Sequence, residues 1–150
     1  MKWIATLALF LNTMANASMF SVTVGEKTQQ LSIEQLEVLF PSENISTTLP
    51  WYTGSRTFTG IRLLDLLHYL DVTPDEGVSF HALNDYTSYT SWQDIQDYNP
   101  YLVFKMNGQY MRIRDKGPLW FIYDLATYPQ LDTADYRQQM TWQISGLTIK

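Results

Sequence analysis

The stretch from Trp51 to Leu70 joins a loop rich in aromatic and polar residues directly to the clearest helical pattern in the chain. Leucines recur there at positions 63, 64, 66, 67 and 70, with the three- and four-residue spacing of one helix face. This spacing matches the 3.6-residue period of an α-helix with a single apolar stripe. Because such a stripe has to be buried, we expect this helix to lie at the centre of the core.

The residues just before this helix have the composition of a ligand-binding loop. Trp51, Tyr52, Arg56 and Phe58 stand among Thr, Gly and Ser residues. Flat side chains stack on a flat ring, while guanidinium and hydroxyl groups donate hydrogen bonds to its edge. A loop that only closes over a core has the same composition, so both interpretations remain open.

The N-terminus resembles a removable export signal. Lys2 supplies a positive charge, residues 3–11 form an apolar run, and Ala15-Asn16-Ala17 provides the small residues of a cleavage site. The run is much shorter than the roughly 20 residues needed to span a bilayer. We therefore predict a signal peptide over residues 1–17, cleavage after Ala17, and one exported domain over residues 18–150.

Composition argues against several classes of function. The net charge is −5, or −6 without Lys2, and no dense basic cluster is present, which argues against nucleic-acid binding. The chain has no cysteine, so it has neither a disulfide nor a thiolate ligand for a metal. His68 and His81 lack the neighbours of a metal site, and no catalytic fingerprint is present, so we predict neither metal ligands nor catalytic residues.

Local patterns predict a domain of strands and short helices, hence an α+β fold. Ser32 and Gln35 form a capping box that begins a helix, which Pro41 ends. Residues 44–57 lack periodicity, and we expect a surface loop or an irregular strand there. The other predicted elements are strands at 20–24, 78–83, 101–106, 109–114, 121–123 and 142–149, the last broken at Gly146, a helix at 92–98 capped by Ser91, and mixed loop and short helix at 128–140.

Two further segments carry candidate binding residues. Asn84, Asp85 and Tyr86 follow a predicted strand, and loops at strand ends commonly hold ligands, although Asp85 also fits a turn that bonds its own backbone. Arg114 and Lys116 belong to a small group of bases that precedes Gly117-Pro118-Leu119-Trp120. These bases fit either a solvated strand face or a site that recognises an anion or a carbonyl group.

Several motifs, taken in order, resemble the molybdopterin-binding domain of the sulfite oxidase family. The matching pieces span most of residues 18–150 and are Phe58-Thr59-Gly60, Leu63-Leu64-Asp65-Leu66-Leu67, Ala82-Leu83-Asn84-Asp85-Tyr86, Asn107-Gly108, Gly117-Pro118-Leu119 and Trp142. The resemblance implies a mixed, mostly antiparallel sheet with short helices and a pterin cleft at the loop ends. In those enzymes, however, a cysteine before the Phe/Trp-x-Gly element binds molybdenum, and this chain has no thiolate for that role.

The chain is most similar to the small periplasmic pterin-binding regulators of the PruR type within this family. That resemblance implies a non-enzymatic protein that binds a neopterin- or monapterin-like pterin, including its tetrahydro form, without molybdenum. It also implies signalling to the periplasmic region of an inner-membrane enzyme that makes or degrades cyclic di-GMP, and through it to biofilm formation. The alternative is a molybdopterin-dependent oxidoreductase or an accessory subunit of one.

A pterin offers a donor edge, a 4-oxo acceptor and a flat bicyclic ring, and the candidate residues match these groups. Asp85 is expected to accept charge-assisted hydrogen bonds from the donor edge of the pterin, and Asn84 is expected to bond to either its donors or its acceptors. The remaining candidates are Arg56, Arg114 or Lys116 for the 4-oxo group or the tail, and Trp51, Phe58, Tyr86 or Trp120 for stacking on the ring.

Overall fold

The computed structural model of the protein describes residues 18–150, and the predicted signal peptide lies outside them. Strands dominate, and the helices are short. The strands are β1 (Met19–Val24), β2 (Lys27–Ser32), β3 (Glu43–Thr47), β4 (Arg56–Arg62), β5 (Gly77–Ala82), β6 (Thr87–Ser91), β7 (Tyr101–Met106), β8 (Gln109–Tyr110), β9 (Trp120–Ile122) and β10 (Ile144–Ile149). The helices are α1 (Ile33–Leu39), α2 (Leu63–Tyr69), α3 (Trp92–Tyr98) and α4 (Ala134–Arg137), with short 3-10 turns at Ile113–Asp115 and Pro129–Leu131.

The strands form two five-stranded sheets. The first has the order β2-β1-β10-β5-β6, and the second has the order β3-β4-β7-β8 with β9 also paired to β7. Within residues 18–150 the only parallel pair is β1 with β10, and every other pairing is antiparallel. The predicted α+β class with mostly antiparallel pairing and short helices is therefore confirmed.

Aromatic and aliphatic side chains from both sheets share one core. Phe80 of β5 stacks on Phe121 of β9, with ring centroids 4.3 Å apart and planes 24° apart, so a strand from each sheet meets there. Leu63, Leu66 and Leu67 of α2 are fully buried, which confirms the predicted apolar stripe. Burial of this kind is the main favourable contribution to folding.

Two predictions that rest on short local motifs are confirmed. Asn107 and Gly108 have φ angles of 50° and 80°, as the predicted type I′ hairpin requires. The predicted break in β10 is also present, as a register shift between Ile144 and Gly146. A Cβ at position 146 would lie 2.5 Å from the Ser21 hydroxyl of β1, so a larger residue there would require the Ser21 side chain to move.

Tertiary contacts decide two local expectations. The loop or irregular strand expected at 44–57 is a strand in part, because residues 43–47 form β3, which pairs with β4, and Ser46 and Thr57 share a hydrogen bond of 2.9 Å across that pair. The strand expected at 109–114 is wrong in its length, since it ends at Tyr110. Arg112 instead donates to the Asp115 carboxylate at 2.7 Å, and residues Ile113–Asp115 form a 3-10 helix.

We predict that Ser32→Ala destabilises the domain by about 1 kcal/mol. The Ser32 hydroxyl accepts from the Gln35 amide at 3.1 Å, while the Gln35 side chain accepts from the Ser32 amide at 2.7 Å, so the predicted capping box is present. Urea unfolding measures the change, with exposed Ser42→Ala as the matched control. Equal stability of the two variants would contradict the prediction.

We also predict that the free energy of unfolding falls as pH rises from about 10 to about 12. Burial raises the pKa of Tyr101 to about 12, an effect partly offset by the Arg62 guanidinium over its ring, and burial also raises the pKa of Tyr123. The unfolded chain loses these protons near the ordinary value of about 10, so alkaline pH favours unfolding. Tyr101→Phe should reduce this pH slope in denaturant titrations, and an unchanged slope in the folded variant would contradict the prediction.

Candidate functional site

A cavity of about 510 Å³ lies where the loop before β4, the turn after β5 and the segment before β10 come together. This volume is in the roughly 300–1,000 Å³ range of small-molecule sites. Its lining combines indole and aliphatic surface with a few polar groups. The lining residues are Trp51, Ala82, Asn84, Tyr86, Ala134, Arg137, Gln138, Met140, Thr141 and Trp142.

Trp51 and Trp142 form the aromatic wall of the cavity. Their ring centroids are 5.3 Å apart and their planes meet at 82°, an edge-to-face arrangement that holds both indoles in place. Behind them, Trp120 is fully buried, contacts Trp51 with centroids 5.5 Å apart, and donates from its indole to the Met140 carbonyl at 3.0 Å. The wall is therefore supported from the core side.

Lys116 contacts this wall from outside the cavity lining. Its ammonium lies 3.8 Å from the ring centroid of Trp142 and 5.7 Å from that of Trp120, within cation–π range. Burial lowers the pKa of the Lys116 side chain. Lys116 thus holds Trp142 in place.

The turn after β5 brings two polar residues to the cavity and directs the third away. The side-chain Oδ1 of Asn84 accepts from the Tyr86 backbone amide at 3.3 Å, so the Asx-type turn belongs to Asn84. Asp85 has a φ of 65°, is exposed at the tip of the turn and does not line the cavity. The Tyr86 hydroxyl donates to the Gln138 carbonyl at 2.6 Å, which links this turn to the end of α4.

Helix α4 supplies the one cationic group in the cavity lining. Ala134, Arg137 and Gln138 are three and four residues apart and so share a helix face, which here faces the cavity. Arg137 donates from Nε to Asp132 at 2.7 Å, which orients the guanidinium plane. Sequence reasoning missed Arg137 because residues 128–140 show no apolar periodicity, and this short helix is positioned by tertiary contacts.

The structure brings three of the nine predicted binding residues to the cavity: Trp51, Asn84 and Tyr86. Phe58 and Trp120 are fully buried behind the wall, with ring centroids 5.6 Å apart. The other four residues lie elsewhere. Arg56 packs on Tyr52 at 5.1 Å, Arg114 is exposed on the 3-10 turn, Lys116 packs on Trp142, and Asp85 is exposed at the turn.

The residues present do not fit a molybdenum centre anchored by the protein. The sequence contains no cysteine to supply the thiolate ligand. Within residues 18–150, no group of three or more His, Asp or Glu side chains is arranged to hold a metal ion. The indole wall offers stacking to a flat ring, and the amide, hydroxyl and guanidinium groups of the lining offer hydrogen bonds.

Comparison with protein-family models finds no match to this chain, and comparison with curated protein sequences finds none either. In the part of the chain that the structure describes, no helix has the length and apolar character needed to cross a membrane.

Proposed function

We propose that this protein binds a small pterin in the cavity between Trp51, Trp142 and the turn after β5. The observation that carries the proposal is an open cavity of about 510 Å³ whose lining combines two indoles with amide, hydroxyl and guanidinium groups. A pterin presents a flat face and a polar edge at the same time. The resemblance to pterin-binding regulators supports the same ligand class.

Three groups of the lining suit the parts of a pterin. The indole of Trp142, packed against Lys116 and Trp51, offers surface for the ring. Asn84 and Arg137 also line the cavity, and an amide accepts and donates hydrogen bonds while a guanidinium donates to a 4-oxo group. In this arrangement Arg137 takes the part that the sequence suggested for Arg56, Arg114 or Lys116.

The biological role we propose is non-enzymatic and periplasmic. The loaded protein reports pterin status to the periplasmic region of an inner-membrane enzyme of cyclic di-GMP metabolism, and so influences biofilm formation. Support for the export and signalling steps comes from the N-terminal pattern and the sequence resemblance. The missing thiolate supports binding over redox chemistry, and stoichiometric molybdenum in native protein would contradict this role.

Titration of purified residues 18–150 with neopterin should quench tryptophan fluorescence in a saturable manner. The reason is that a ring in this cavity lies against Trp51 and Trp142. Isothermal titration calorimetry gives the stoichiometry, with one site expected. The proposal would be overturned if neither neopterin nor tetrahydroneopterin bound saturably up to roughly millimolar concentration. A dissociation constant of that size corresponds to a binding free energy of about −4 kcal/mol.

Arg137→Gln should weaken neopterin binding by at least about tenfold, because a hydrogen bond from a charged donor contributes about 1.5–3 kcal/mol. Its exposed pair with Asp132 contributes little to stability, so the variant should fold. Arg114→Gln removes an exposed arginine outside the cavity and serves as the matched control. An unchanged dissociation constant in folded Arg137→Gln would remove Arg137 from the site.

Asp85→Ala tests whether Asp85 contacts the ligand, as the sequence suggested, or lies outside the cavity, as in the structure. Because Asp85 is exposed and does not line the cavity, we expect the dissociation constant for neopterin to stay within about twofold. A loss of tenfold or more in a folded variant would mean that Asp85 does pair with the donor edge of the pterin, as the sequence suggested.

A further inference from the structure

A second cavity of about 320 Å³ adjoins the first one and has a different chemical character. It lies between β6 and the chain around α4, and we call it the polar annex. Its lining is Tyr86, Thr87, Ser88 and Tyr89 on one side, and Asp135, Gln138 and Gln139 on the other. Hydroxyl, amide and carboxylate groups therefore surround it.

The two cavities share two lining residues. Tyr86 and Gln138 line both, and the Tyr86 hydroxyl donates to the Gln138 backbone carbonyl at 2.6 Å. Helix α4 contributes to both cavities as well, because Ala134 and Arg137 line the aromatic cavity while Asp135 lines the annex. Since the cavities adjoin at shared residues, a ligand with two parts can place one part in each.

The charge of the annex limits what the second part can be. Its lining contains the carboxylate of Asp135 and neither lysine nor arginine. Asp135 also takes part in none of the salt bridges found within residues 18–150, so its charge is not neutralised by a basic partner there. A phosphate group placed near it would meet like-charge repulsion, whereas alcohol hydroxyls find both donors and acceptors.

Some groups that line the annex are already bonded within the protein. The Ser88 hydroxyl donates to the Gln139 backbone carbonyl at 3.2 Å and shares a hydrogen bond of 2.6 Å with the buried Thr141 hydroxyl. Thr87 and Asp135 are exposed. Ser88 is therefore held by the protein, while Thr87 and Asp135 are accessible to a ligand.

We propose that the polar annex binds an uncharged, hydroxylated side chain attached to the ring in the aromatic cavity, and that it selects against phosphorylated forms of that ligand. The inference rests on the proposed function, since it assigns the second half of the same ligand. It adds to the proposed function a place for the tail of the ligand and a discrimination against a phosphate group on that tail.

Three ligands of graded structure test this assignment by calorimetry on the same preparation. Neopterin, with a trihydroxypropyl chain, should bind at least about tenfold more tightly than 6-methylpterin, because two or more hydroxyl hydrogen bonds are added. Neopterin monophosphate should bind at least about fivefold more weakly than neopterin, because of the repulsion from Asp135. Equal affinity for neopterin and 6-methylpterin would overturn the inference while leaving pterin binding intact, whereas no binding of any of the three would overturn both.

Asp135→Asn isolates the charge of the annex. The variant should reduce the ratio of the dissociation constants of neopterin monophosphate and neopterin by about fivefold. The dissociation constant of 6-methylpterin should change little. Asp75→Asn, in the exposed turn before β5, removes the same charge outside both cavities and should leave the ratio unchanged. An unchanged ratio in Asp135→Asn, or tighter binding of the monophosphate by the original protein, would overturn the selectivity that we propose.

Discussion

The burial of Trp120 is the constraint on which the geometry of the site depends. Its indole contacts the rings of Trp51, Tyr52, Phe58 and Trp142, with centroids between 5.5 and 6.2 Å apart. Its N–H group donates to the Met140 carbonyl, so the segment before β10 is tied to β9 of the second sheet. A buried indole without that acceptor would be costly, and the bond therefore fixes how the segment approaches the cavity.

In this arrangement, the residues that support the cavity wall differ from those that are available to a ligand. Fully buried rings hold the wall in position, while half-buried indoles and exposed polar groups face the cavity. Rigid elements behind a few exposed groups lower the cost of ordering a ligand. The β5–β6 turn and α4 are joined by the Tyr86–Gln138 bond, and residues of both line the aromatic cavity and the polar annex.

The outcome for the predicted site residues shows where sequence reasoning stops. The type of an aromatic or charged residue indicates which interactions its side chain can make, but not whether that side chain is accessible to a ligand. Phe58 and Trp120 have the chemistry for stacking on a ligand, but they are fully buried and pack edge-to-face against each other. Arg137 has no distinguishing local pattern, and it lines the cavity only because α4 is held between Asp132 and the β5–β6 turn.

The sequence by itself determined the elements whose signals are local: the capping box of α1, the apolar stripe of α2, the Asn107-Gly108 hairpin and the α+β class. Their hydrogen bonds and periodicity close within a few residues, so local chemistry decides them. Only the tertiary structure decided that β3 forms, that there are two sheets, and which side chains surround the cavities. Those features depend on contacts between residues far apart in the chain, which no local pattern encodes.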